Sequence, residues 1–327
     1  MDLNHQRAGA SIGRWLLRVV VTLSVGRALS IDPALAASPR YGGFAEIAAT
    51  PRLLALGGNG VAMGGATDAL WGNPAGMLDA RTREAQSSYA DLFDLGLVSH
   101  SSAALIWPLL PREIAWRGGS IEAQRGQAAP GTVIGLGLSS LGSDVDVDRY
   151  DETQFALGLA TRGPAEVAIG FTYRFLWAQS TIENFGAQGH AIDLGLQRPV
   201  GPLVFGLAAR GFSSAINWDR GLDEPLARRL QAGVSYAPFA GLRAQAAAVW
   251  VGDESELVYP SIAAEYAPRR EFTLRGALRQ HRDAVDSPTE WSAGASFAIW
   301  RLRIDYATAS SGQELGDTQR IGGSVQF

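Results

Sequence analysis

The stretch Val167-Ala168-Ile169-Gly170-Phe171-Thr172-Tyr173-Arg174-Phe175 decides the fold. Bulky apolar residues occupy every second position, and small, polar or charged residues fill the gaps. Successive side chains of a strand point to opposite faces. As a strand, this segment therefore has one apolar face and one face of Ala, Gly, Thr and Arg.

The same pattern recurs to the end of the chain. Phe272, Leu274 and Leu278 share a face, opposite Thr273, Arg275, Ala277 and Arg279. Ile192, Leu194 and Leu196 alternate with Ala191, Asp193, Gly195 and Gln197. Leu302, Ile304 and Tyr306 alternate with Arg301, Arg303 and Asp305. Segments of this length and period, separated by turn residues, are the signature of a transmembrane β-barrel.

Cost assigns the faces. An arginine directed at mid-bilayer lipid costs about 2–4 kcal/mol. A one-residue slip in register would send Arg174, Arg275, Arg279 and Arg303 into lipid together. The bulky set is therefore expected to face lipid. The charged set then faces the lumen, where Arg174, Arg275, Arg279 and Arg303 can pair with Asp193, Glu265 and Asp305 on neighbouring strands. Gly170, Gly195, Gly206, Gly233 and Gly294 fall on the same inner face, which suggests open space there.

Fourteen strands are expected, near 84–91, 97–109, 132–141, 152–161, 166–178, 188–198, 203–213, 227–237, 241–251, 257–267, 271–281, 289–299, 301–310 and 317–327. An even count brings both ends of the barrel chain to the periplasmic side. The expected periplasmic joins are short, such as Pro199–Pro202, Pro268–Arg270 and the join at Trp300. The expected external ones are longer and polar, such as Gly142–Asp151, Gln179–Gln188 and Ser214–Leu226. Leu110–Gly131 breaks this rule: either it holds an extra hairpin or the second strand, 97–109, is misplaced. Trp107, Trp177, Tyr236, Trp250, Tyr266 and Trp300 sit near strand ends, as interfacial girdles do. The last strand carries Ile321, Val325 and Phe327 on one face, and the terminal Phe327 is read as the signal to barrel-assembly machinery.

Residues 1–36 read as a signal peptide. Arg7 and Arg14 precede the apolar stretch Trp15–Val25, and Ala34-Leu35-Ala36 offers a cleavage site before Ala37. The domain plan is thus 1–36 signal peptide, 37–83 N-terminal plug or hatch, and 84–327 barrel. Composition agrees with an envelope protein. Charged residues are 18% and glycines number 39 of 327, so the chain is glycine-rich and sparsely charged. The net charge of −4 gives no electrostatic case for nucleic acid. With no cysteine, disulfides, thiolate metal sites and cysteine nucleophiles are excluded.

No catalytic constellation emerges, and the chain is not read as an enzyme. His5, His100, His190 and His281 are dispersed, no metal set has ligand spacing, and no cofactor is expected. Asp144-Val145-Asp146-Val147-Asp148-Arg149 resembles the start of a calcium loop. Arg149 stands where the turn needs glycine, and Phe155 where the bidentate glutamate belongs.

Leu53–Gly76 holds Gly58-x-Gly60-x-x-x-Gly64, close to a dinucleotide-binding loop. Such a loop needs a βαβ unit and an acidic residue about twenty positions on. Here it lies between a signal peptide and antiparallel strands, so its glycines are read as permitting sharp turns inside a crowded lumen.

Three blocks together are similar to the PorV/PorQ family, within the FadL-like outer-membrane barrels. The first is Ala55-Leu56-Gly57, Gly60-Val61-Ala62 and Asp68-Ala69-Leu70-Trp71-Gly72-Asn73-Pro74-Ala75-Gly76. The others are Ile192-Asp193-Leu194-Gly195-Leu196 and Arg303-Ile304-Asp305-Tyr306-Ala307. The resemblance implies a fourteen-stranded barrel with an N-terminal hatch in the lumen, built around Gly57, Gly60, Asp68, Asn73, Pro74, Ala75 and Gly76. It implies location in the outer membrane of a Gram-negative-type bacterium, among outer-membrane lipid. The leading functional expectation is passage or binding of hydrophobic compounds. The alternative is an adaptor of type IX-type protein secretion or surface attachment, with secreted proteins as partners. A soluble periplasmic β-protein is the third reading.

Overall fold

The computed structural model describes residues 44, 46–94, 96–111, 130–145, 148–181, 185–219, 221, 223–252, 258–280, 289–310 and 316–327. They belong to one compact unit, Ser38–Phe327. The expected signal peptide, most of 110–131, and the side chains of Asp144 and Asp146 lie outside the described residues.

The strands are β1 (Glu84–Leu92), β2 (Val98–Pro111), β3 (Pro130–Val145), β4 (Asp148–Arg162), β5 (Ala168–Ser180), β6 (Phe185–Val200) and β7 (Leu203–Trp218). A two-residue strand, β8 (Asp223–Glu224), pairs only with β7. There follow β9 (Arg229–Phe239), β10 (Leu242–Val251), β11 (Val258–Arg269), β12 (Phe272–Gln280), β13 (Thr289–Ile299), β14 (Leu302–Ala309) and β15 (Thr318–Gln326). Apart from β8, each strand pairs antiparallel with the next, and β15 returns to β1 with Glu84 opposite Gln326. The result is a closed fourteen-stranded barrel with no free sheet edge, the one all-β architecture that satisfies every backbone group in lipid.

The face assignment follows the alternation. In β5, Ile169, Phe171, Phe175 and Trp177 are exposed, whereas Ala168, Gly170, Thr172 and Arg174 are buried. Around the wall, Leu138, Leu157, Leu196, Leu207, Ile262, Leu278, Phe297 and Ile304 are all outward and exposed. A soluble sandwich would bury these residues.

One end of the barrel has two-residue joins: Gly201–Pro202, Ala240–Gly241, Arg270–Glu271 and Trp300–Arg301. We call this the turn end and the opposite one the loop end. The loop end differs from expectation in two places. The stretch 142–151 is not a long loop, because β3 and β4 stay paired as far as Val145 opposite Asp148. Likewise β7 continues to Trp218, paired with β6. Polar sequence there marks strand lying beyond the apolar band rather than an end to pairing.

Residues 46–83 form two short helices, α1 (Pro51–Ala55) and α2 (Ala66–Trp71), and a 3-10 helix, Pro74–Asp79. Thr50 caps α1 through its hydroxyl, which accepts from Leu53 N, and Pro51 starts the helix without needing a donor. The segment packs against the inward faces of the strands. Leu70, Trp71, Ala75 and Met77 meet Ile106 and Val133 of the wall in the largest buried apolar cluster.

Candidate functional site in the barrel lumen

The inner-face glycines explain how the segment fits. A Cβ on Gly170 would lie 2.1 Å from Ala75 N, and one on Gly195 would lie 2.1 Å from Asn73 Oδ1. At Gly206 it would meet Val61 O at 2.2 Å, at Gly233 the Val61 side chain at 2.7 Å, and at Gly294 Ala55 Cβ at 2.7 Å. These five positions do not leave open space, as their size alone suggests. The space is taken by backbone and small side chains of 55–75.

Asn73 and Pro74 organise the closest approach. Asn73 is 2% exposed. Its Nδ2 donates to Val61 O at 2.8 Å and to Leu196 O on β6 at 3.0 Å. Its Oδ1 accepts from Ala75 N at 3.1 Å, capping the 3-10 helix that Pro74 begins. Gln197 Nε2 adds a second donor to Val61 O at 2.8 Å. Gly76 backs onto Gly64, where a Cβ would come within 3.0 Å of the facing Cα. Gly57 and Gly64 have φ of +69° and +63°, the left-handed region that bulkier residues rarely adopt. Gly60, by contrast, is placed for close contact with Leu53.

Charge fastens the segment on the opposite side. Asp68, Arg52, Glu265, Arg275, Asp305, Arg303 and Glu84 form an unbroken alternating chain. The successive separations are 3.3, 2.8, 2.6, 3.5, 2.9 and 3.6 Å. Arg52 and Asp68 belong to the segment, the others to the wall. Arg52 also donates to Gly64 O at 2.7 Å. Burial works against its charge, but Glu265 and Asp68 outweigh that effect and hold its pKa above the ordinary arginine value. The chain borders a cavity of about 840 Å³ at the turn end.

The remaining candidate charges lie elsewhere in the lumen. Arg174 donates to Asp193 at 2.9 Å. Gly211 N also donates to Asp193, at 2.8 Å. Gly211 has φ +59° in a bulge of β7, where Ala209–Ser213 faces only Ile192–Leu194. Arg279 donates to Glu290 on β13 at 2.9 Å and to Gly57 O at 3.4 Å. Phe327 is half-exposed on the outer face, its N bonded to Arg83 O. Towards the loop end Phe44, Leu176, Ala178, Ile216 and Leu226 form a second apolar cluster, beside buried Glu152, which accepts from Phe44 N.

Several contacts are not flagged by any motif. Arg52, Glu84, Gln197, Ser235, Gln245 and Arg320 all hold the segment. Gln245 accepts from Ala62 N at 2.9 Å, and Arg320 donates to Ala49 O at 3.1 Å. Parity alone places the wall residues of this group on the inner face. Arg52 betrays itself as a lone charge in an otherwise apolar run.

No family model matches the chain, and no curated protein sequence matches it. Solved structures do. The CymD monoaromatic hydrocarbon channel aligns with a TM-score of 0.65 at 10% identity, over 87% of this chain and 99% of that one. The Ralstonia pickettii toluene transporter TbuX aligns at 0.58 with 14% identity, over 85% and 98%. A Pseudomonas aeruginosa FadL homologue aligns at 0.59 with 11% identity, over 85% and 98%. At such low identity the likeness is one of fold: this chain shares the barrel of FadL-type channels along nearly their whole length.

Proposed function

We propose that the chain is an outer-membrane barrel that binds or passes hydrophobic compounds, with residues 46–83 as its plug. The observation that supports this reading is the pairing of an apolar outer wall with a segment that packs, through glycines of the wall, against the inner faces of the strands. Its fold likeness to hydrocarbon channels supports the substrate class. No catalytic role is assigned to any residue.

Uptake tests the reading. A strain lacking the gene should accumulate labelled toluene or a long-chain fatty acid several-fold more slowly than its parent, and the gene in trans should restore the rate. One feature favours a second reading, the PorV/PorQ-like adaptor: the plug is fastened by buried ion pairs, as suits a permanently closed anchor. Equal uptake with and without the gene, together with co-purification of a secreted protein, would decide for the adaptor.

A further inference from the structure

We infer that the turn end of the barrel is a recognition surface for anionic phospholipid. The inference rests on the membrane reading above and adds a lipid class to it.

Four exposed arginines at this end each stand beside an aromatic: Trp107, Phe205 and Phe272 face outward, while Trp300, with Arg301 and Arg269, stands at the rim where the wall meets the turn-end cavity. The Arg83 guanidinium lies 3.8 Å from the centre of the Trp107 ring, and that of Arg301 lies 5.3 Å from the centre of the Trp300 ring. Arg198 sits opposite Phe205 across β6 and β7, and Arg269 opposite Phe272 across β11 and β12. The four pairs are spread around the circumference, on β1–β2, β6–β7, β11–β12 and β13–β14. None of these arginines has a carboxylate partner among the described residues, and Glu271 is the one exposed side-chain carboxylate in the two-residue joins there. A chain of net charge −4 thus carries, at one end, a belt of arginines that outnumber its exposed carboxylates.

The chemistry of the belt selects its occupant. Aromatics facing outward at strand ends lie at the headgroup level of a bilayer. Trp107, exposed on the outer face of β2 beside the buried Ile106, is an instance. A guanidinium at that level can bond two phosphate oxygens at once, and at Arg83 and Arg301 the neighbouring ring limits its orientations. Phosphate oxygens of a bilayer leaflet occur at just this height all round the wall. A soluble acidic protein would approach from the axis and leave the outward-facing members, such as Arg198, untouched. Anionic headgroups such as phosphatidylglycerol add net charge attraction that zwitterionic ones lack.

Native mass spectrometry of the full chain in detergent provides the test. With equal phosphatidylglycerol and phosphatidylethanolamine added, retained phosphatidylglycerol should exceed the other lipid about tenfold. The triple variant Arg198→Gln, Arg269→Gln, Arg301→Gln should lose that preference while keeping the heat-modifiable gel mobility of a folded barrel. Equal retention of both lipids by the wild type overturns the inference, as does an unchanged preference in the folded variant. Displacement of the lipid by a polyglutamate peptide would also overturn it, in favour of an acidic protein partner. Loss of heat-modifiable mobility in the wild type would instead strike the membrane reading itself. If the triple variant fails to fold, Arg198→Gln alone, on a single strand end, should halve retention or more, and no change would overturn the inference.

Discussion

Asn73 has one side chain and three jobs: it holds Val61 O, Leu196 O and the 3-10 helix start. Replacing it by alanine leaves a buried carbonyl on β6 without that donor, a loss of about 1–3 kcal/mol. The loss falls on the contact between segment and wall, not on the strand ladder. Asn73→Ala should therefore raise single-channel conductance while insertion, read by heat-modifiable mobility, stays near wild type. Loss of insertion with unchanged conductance would contradict the plug. Arg52 makes a similar case electrostatically. Glu265→Gln leaves Arg52 with Asp68 and Gly64 O, and Arg275 with Asp305, whereas Arg52→Met removes the pairs with both Asp68 and Glu265 and the bond to Gly64 O, so Arg52→Met should loosen the segment more. Conductance of the two variants side by side checks the ranking.

Strands were the legible elements. Alternation in 167–175 or 272–279 specifies which side chains face lipid, because the bilayer penalises one register and not the other. Alternation is silent on what fills the lumen. Gly170 and Gly195 read equally well as the lining of an open pore or as a seat for another segment. The contacts that decide between them join residues about a hundred positions apart in the sequence, which no local pattern records. Strand ends were blurred for a related reason: Ser143 and Asp151 suit either a loop or a strand that has left the membrane. A substitution that respects parity tests the seat directly. Gly195→Val should displace the Asn73-Pro74 turn and open the lumen, whereas Leu194→Val, one residue away on the outer face, should leave conductance unchanged.

At the scale of the molecule, the outer wall and the inner segment make separate demands. Leu278→Arg puts a charge on the lipid face and should cost about 2–4 kcal/mol, measured as a lower yield of inserted barrel. Arg279, the next residue, is tolerated because it turns inward to Glu290. Residues 46–83 touch all fourteen barrel strands, from Ser88 on β1 to Arg320 on β15. Their deletion should leave a barrel that still inserts but conducts freely, a contrast that planar-bilayer recording can resolve.

Chain order gives this arrangement a consequence in time. The segment that packs against the inner faces of the strands precedes them in the chain, yet Ala49 is gripped by both β1 and β15, which meet only when the cylinder shuts. Its seat is thus unfinished until the last step of assembly. The wall closes around its own contents, and the seam between first and last strands doubles as the clasp that holds them.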